Sequence, residues 1–538
     1  MDQPEELKSD RPLKWSPGRG TDVWAMFRAA MAGDVQTIRW LLQQDPSLAR
    51  CHYHYRKPLY FAVRENRLEV VRLLLDHDPD PTGLAVNDSL IEIAQDRGYA
   101  EMEKLLETKL SDVHGASSRG EPVAAAIRAG DLNQVRALLD ASPDLVKAGD
   151  TRGNQPIHWV VMTRQPAAFI EELLKRGADI NAQRTDGARP IQLTNGDYHH
   201  RGWRDVPKDH PITPRMVLDH LRSRGAECDI CTAAHVGDSD RVRQLLDADP
   251  TLANRPSDYV TYYACSGTPL RNAAAAGHLA IVKLLLERGA DPNLPEESIA
   301  PQGHALYSAA TNGHFEVAKL LLEHGAYPNA EVESSADILS RVLANKDQKM
   351  LELLCSHGAA RGVHLLAHDN DLETAAAVFA ANTALANDPE ALGSAGSEEF
   401  VRLMLRYQPD LARRVTVVKS RELTELLFAH GMDPSRPNWL GITSLHEIAQ
   451  RGNIEAAGLF LDHGADLHAR DEDICSTPLG WAAKFGRLEM VRFLLQRGAT
   501  PNRPDDPPWA TPLAWAERRE HPEIAKLLEQ HTGRGGVK

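Results

Sequence analysis

The strongest constraint on this chain is a short helix-turn-helix unit, too small to bury its own apolar face, that recurs in register from about residue 22 to about residue 531. Its clearest copy runs Gly267-Thr268-Pro269-Leu270-Arg271-Asn272-Ala273-Ala274-Ala275-Ala276-Gly277-His278, then through Ile281-Val282-Lys283-Leu284-Leu285-Leu286 to Gly289-Ala290-Asp291-Pro292-Asn293. Thr268 is placed to cap a helix, and Pro269 sits at the first helical position, where a missing N–H costs nothing. Gly277 suits a left-handed C-cap about two turns later. A second helix then carries Ile281, Leu284 and Leu285 on one stripe, and Gly289 stops it.

The ending recurs at Gly177-Ala178-Asp179, Gly225-Ala226-Glu227, Gly325-Ala326, Gly358-Ala359, Gly464-Ala465-Asp466 and Gly498-Ala499. The start recurs at Lys57-Pro58-Leu59, Gln155-Pro156-Ile157-His158, Arg189-Pro190-Ile191, Thr443-Ser444-Leu445-His446, Thr477-Pro478-Leu479 and Thr511-Pro512-Leu513. From Gly325 to Gly358 and from Gly431 to Gly464 the step is 33 residues, and from Gly464 to Gly498 it is 34. With its Thr-Pro-Leu start and Gly-Ala-Asp end, the unit resembles the ankyrin repeat. The expected fold is an all-α ankyrin-repeat solenoid of about sixteen units with short hairpin-like loops projecting to one side.

Composition sets outer bounds. A net charge of −14, from 61 Lys+Arg against 75 Asp+Glu, opposes binding to nucleic acid or an anionic membrane. The six cysteines are scattered, as in reduced thiols of a cytosol-like compartment. The N-terminus has neither the basic start nor the apolar run of a signal peptide, and no apolar stretch approaches 18 residues, so a cytoplasmic address is expected.

Along the chain, residues 1–20 are polar and broken by Pro4, Pro12, Pro17, Gly18 and Gly20, which predicts a flexible arm. Ankyrin repeats are expected over 21–362. In three of them the ending is replaced by Asp45-Pro46-Ser47-Leu48-Ala49, Ser142-Pro143-Asp144-Leu145-Val146 and Asp249-Pro250-Thr251-Leu252-Ala253. The turns before these, at Gly33, Gly130 and Gly237, lie about three repeats apart, as if a three-unit block had been copied. An aromatic and His-rich insert at 195–211 interrupts one unit between its helices. Steps shorten over 363–430, which predicts degenerate pairs with trimmed loops and the weakest packing of the stack, a candidate hinge. Regular units return over 431–531 with a charged terminal cap, and 532–538 form a flexible tail.

The chain contains no phosphate-binding Gly-Lys loop, dinucleotide fingerprint or His-Glu-x-x-His helix. Cys228-x-x-Cys231 with His235, and His364 with His368, are single groups better read as structural than as metal ligands. No residue is assigned a catalytic, cofactor-binding or metal-binding role. His158 and His446 are expected to bond backbone groups between neighbouring repeats, as the family resemblance implies. Trp159, Trp481 and Trp515 fit either the core or the inner lining.

What remains is aromatic and basic side chains on projecting loops: Tyr53, His54, Tyr55 and Arg56; Tyr198, His199, Trp203 and Arg204; Tyr259, Tyr262 and Tyr263. The resemblance implies a scaffold that binds a protein partner on its concave loop and first-helix surface; these clusters are the expected contacts, and a monomer is expected. An enzyme with a pocket near Asp197 and His199, such as a hydrolase for a small or carbohydrate-like substrate, is the alternative.

Overall fold

Thr268 caps as its position predicts: its hydroxyl accepts the Arg271 backbone N–H at 3.2 Å, and Pro269 opens the helix Pro269–Ala275. Gly277 then turns the chain at φ 74°, and the second helix, Leu279–Glu287, buries Ile281, Val282, Leu284 and Leu285 before Gly289 closes it at φ 84°. The computed structural model describes residues 1–78, 88–114, 118–150, 153–184, 186–197, 200–202, 204–259, 261–333, 335–416 and 420–532. Among these the chain forms 30 α-helices and no strand, and the projecting loops contribute only isolated bridges such as Tyr53 with Arg56 and Glu296 with Ala300. The architecture is the expected all-α ankyrin-repeat solenoid.

Two kinds of side chain tie one unit to the next. At the start of the second helix, His278 Nε2 donates to the His235 carbonyl at 3.0 Å and His314 Nε2 to that of Ala275 at 3.1 Å. Arg67 and Arg487 do the same to Met31 and Gln450 at 2.8 and 2.7 Å. On the loop side, Asn254 donates to the Gly289 carbonyl and accepts the Asp291 N–H, each at 2.7 Å. Asn293 repeats this on Gly325 and Tyr327, and Asn329 on Gly358 and Ala360. Each carboxamide therefore satisfies one donor and one acceptor that a short loop cannot pair internally.

The turn glycines differ in what surrounds them, and this gives a graded expectation. A Cβ at Gly289 meets nothing within 4 Å, whereas one at Gly277 would lie 2.5 Å from His314 Nδ1. Gly289→Ala should cost about 1–2 kcal/mol for left-handed backbone alone. Gly277→Ala should cost more, because it also displaces the His314 bridge. Chemical denaturation of both variants checks the order.

The three variant endings become short 3-10 helices at Pro46–Arg50, Pro143–Lys147 and Pro250–Asn254, and the structure adds two more at Thr383–Ala386 and Leu411–Arg414. Asp45, Asp249 and Asn382 start three of them by accepting the N–H two residues on, at 2.9, 2.9 and 3.1 Å. The turn then drops Leu48 and Ala49, or Leu411 and Ala412, into the core, replacing what a projecting loop would bury.

The chain divides into two compact units, Ser9–Ala360 and Met1–Lys8 with Arg361–Lys538. Within the second, one apolar cluster runs from Leu366 to Leu528. Over 363–430, where weak packing was expected, Phe379, Phe400, Val401 and Met404 are fully buried, and Ala367, Ala375, Ala391 and Ala395 are buried in the same cluster. Residues 1–20 also differ from the flexible arm expected. Leu7 is fully buried in a 3-10 turn at Glu6–Lys8, and Arg19 pairs with Pro12 in a bridge before the helix Gly20–Ala32 begins. The tail beyond residue 532 lies outside the described residues.

Candidate partner-binding surface

The three aromatic loops are each built by a different local device. In the first, Tyr53 and Arg56 exchange backbone hydrogen bonds at 3.1 and 3.0 Å across His54 and Tyr55, both at positive φ, 45° and 62°. This tight turn thrusts His54 and Tyr55 outward. Arg56 instead folds back with its guanidinium 5.0 Å over the Tyr60 ring and is buried, so it supports the loop rather than presenting a contact.

The second loop is held from below by Arg271, which donates to the carbonyls of Tyr262 at 2.6 Å and of Tyr263 and Ser266 at 2.9 Å. Asn272 accepts the Cys265 N–H at 2.8 Å where that residue takes φ 63°. Tyr262 emerges 39% exposed, but Tyr259 is 3% exposed and turns inward, with Arg184 5.6 Å over its ring. Burial raises the phenol pKa of both tyrosines, and for Tyr262 the neighbouring Glu333 carboxylate adds to the rise.

In the insert, the helix expected before the excursion shrinks to a 3-10 turn at Pro190–Leu193, and Gly196 and Arg201 form an isolated antiparallel bridge. Asp197 anchors it: one oxygen lies 2.6 Å from Arg184 Nη1, the other accepts the His200 N–H at 2.7 Å, and the residue is buried. Arg184 also grips Asp186 through two bonds of 2.7 Å and donates to Asn154 at 2.9 Å. Burial opposes its charge, yet the Asp186 and Asp197 carboxylates hold its pKa above the ordinary arginine value. Asp197, weighed as the carboxylate of a pocket, is thus committed to an internal ion pair. Tyr198, His199 and Trp203 lie outside the described residues. Arg204 is exposed and hydrogen-bonded to Asp205, whose pKa it lowers to about 2.

Two of the three loops converge. Tyr55 and Tyr262 each donate a hydroxyl to a different oxygen of Glu333. Arg184 links Asp197 of the insert to Tyr259 of the second loop. Glu333 carries no signal in the sequence, being one of many acidic loop residues; only the superhelical path brings it between positions 278 and 71 residues away.

The remaining weighed residues are structural. His158 Nδ1 accepts the Gln155 N–H at 3.1 Å while Nε2 donates to Ala182 at 3.0 Å, and His446 joins Thr443 to Ser476 at 3.1 Å each. Burial lowers the pKa of both to about 4. Trp159, Trp481 and Trp515 are buried. Cys231 is buried with Sγ 3.2 Å from the Gly267 carbonyl, and burial raises its thiol pKa. His368 pairs with Asp369 at 2.9 Å, and His364 Nδ1 lies 3.3 Å from Ser394 Oγ. Among the described residues no group of three or more potential ligands is placed to hold a metal ion, and no helix is long and apolar enough to cross a membrane.

Paired short helices, stacked unit on unit and joined by projecting loops, define a helical-repeat solenoid. The family model for ankyrin repeats matches three stretches, 17–83, 230–332 and 411–505, and the chain belongs to the ankyrin-repeat family. It is similar to the probable E3 ubiquitin-protein ligase XBOS31 of Oryza sativa subsp. japonica, 42% identical over 67 residues, which are 12% of this chain and 15% of that protein. It is similar as well to palmitoyltransferase ZDHHC13 of Mus musculus, 34% identical over 142 residues, 25% of this chain and 22% of that protein. E3 ubiquitin-protein ligase XBAT33 of Arabidopsis thaliana is 30% identical over 196 residues, 33% and 37%. The chain thus spans well under half the length of these relatives. Ankyrin repeats imply protein–protein interaction.

Proposed function

We propose that the chain is a scaffold that binds a protein partner through its loop and first-helix surface, and that this region carries no reaction of its own. The observation that supports this most is the pair of exposed tyrosines, Tyr55 and Tyr262, both 39% exposed, displayed on loops whose backbones are fixed from beneath. Rings that are already ordered lose little freedom on binding, and tyrosine is among the residues that dominate interface energy. The relatives' names describe ligases and a transferase, but the likeness covers a minor part of each. We carry over binding and not those activities. We further read the protein as a cytoplasmic monomer that uses neither nucleic acid nor membrane.

Affinity capture by the tagged full chain from its native cell, with mass spectrometry, is the test. Tyr262→Ala should reduce capture of a specific partner at least about tenfold while leaving the melting temperature within a degree or two. Undiminished capture would move the contact surface elsewhere.

A further inference from the structure

In a linear stack each unit touches only its neighbours. The Ser9–Ala360 unit breaks that rule on its loop side. Lys14 pairs with Glu331, 317 residues away. Arg50 sets Nε 3.1 Å and Nη2 3.2 Å from the two oxygens of Glu297, and His52 Nε2 lies 2.9 Å from Ser298 Oγ. Tyr55 completes the row on Glu333. One side of this contact supplies basic groups and one hydroxyl from 14–55, and the other supplies carboxylates and the Ser298 hydroxyl from two successive loops that are themselves joined by the Glu333 N–H to the Ile299 carbonyl at 2.8 Å.

The apolar cluster holding Ile299 and Val332 draws its members from residues 228–359 and takes none from 14–56. Both partners of the Lys14–Glu331 and Arg50–Glu297 pairs are more than two-fifths exposed. Such pairs hold weakly and are screened by salt, so the row is built to come apart.

We propose that Glu297, Glu331 and Glu333 form an acidic docking edge for a basic, tyrosine-bearing segment, and that in the resting chain the side chains of Lys14, Arg50, His52 and Tyr55 occupy it as an internal, displaceable ligand. This rests on the scaffold reading above and names the chemistry of the partner: an arginine or lysine side chain beside a phenol hydroxyl. The internal segment is held at high effective concentration, so an outside segment competes well only when the internal contacts are weakened.

Hydrogen exchange on the full chain tests the internal contact without any partner. Arg50→Glu and Glu297→Arg should each speed amide exchange over 51–57 and 296–300 about fivefold or more, and the double variant, with the charges swapped, should restore protection. Wild type in 1 M salt should match the single variants. No change in the single variants and in salt, or additive loss in the double variant, overturns the contact. A labelled peptide with the sequence of residues 50–57, Cys51 replaced by serine, should then bind the Arg50→Glu chain about tenfold more tightly than wild type and fail to bind the Glu297→Arg chain. Equal binding to all three, or none to the Arg50→Glu chain, overturns the docking edge. Either failure leaves the scaffold reading to the capture experiment.

Discussion

Arg184→Met should destabilise the Ser9–Ala360 unit by about 3–5 kcal/mol, the largest effect expected of any single substitution in the candidate surface. Its side chain is 5% exposed and neutralises Asp197, whose own is 3% exposed, while also gripping the more accessible Asp186. Methionine fills much of the volume but leaves the Asp197 charge buried without its cation. Adding Asp197→Asn should recover a large part of the loss, because the isosteric amide removes the stranded charge and keeps an oxygen for the His200 N–H. Denaturant unfolding of the two variants, with hydrogen exchange over 186–202 to localise the change, is the measurement. If Arg184→Met costs under about 1 kcal/mol, the insert is not anchored by this pair.

Acidification should weaken the Ser9–Ala360 unit far more than the Arg361–Lys538 unit. Burial lowers the pKa of His158 and His235 to about 4, and that of His446 to about 4 in the other unit. A histidine whose folded pKa lies below its unfolded value stabilises fully above about pH 6.5 and loses that contribution as pH falls toward 4. Each is worth about 3 kcal/mol across that window. Asp471 has the opposite sign. Burial raises its pKa to about 6, so its contribution is lost as pH rises through 6 and regained as pH falls. That gain is also about 3 kcal/mol and nearly cancels His446. Among the described residues of the larger unit Asp229, raised by burial, offsets the two histidines in part.

Thermal unfolding followed at pH 7 and pH 4.5 should therefore show one transition moving strongly and one moving little. His158→Asn should flatten the first. Asp471→Asn should make the second acid-sensitive by removing the counterweight. Two transitions that shift together in every variant would mean that these groups do not set the acid response.

Much of the architecture was legible because each unit carries its own punctuation. Thr268, Pro269, Gly277 and Gly289 act within a few residues of themselves, through a cap, a fixed φ and left-handed turns, so reading them required no knowledge of distant chain. His158 and His446 reach a backbone carbonyl of the next repeat, as the family resemblance implied. Leu7 and the 363–430 stretch went the other way. Polar or alanine-rich composition does not say which of its side chains the folded chain buries, Leu7 and Phe379 among them.

The aromatic loops show where local reading stops. Tyr55, Tyr259 and Tyr262 look alike in sequence, yet one loop turn sends Tyr55 outward while Arg184 draws Tyr259 beneath its guanidinium. Glu333 was invisible, because its role depends on partners that approach only after the stack has curved. The sequence by itself determined the repeat, its caps and its turns, since these are decided by dihedral preference and hydrogen bonding over a handful of residues. Only the tertiary structure decided which tyrosines face solvent and which carboxylates meet them. Those outcomes depend on small rotations from unit to unit, which accumulate along the stack and leave no trace in any one repeat.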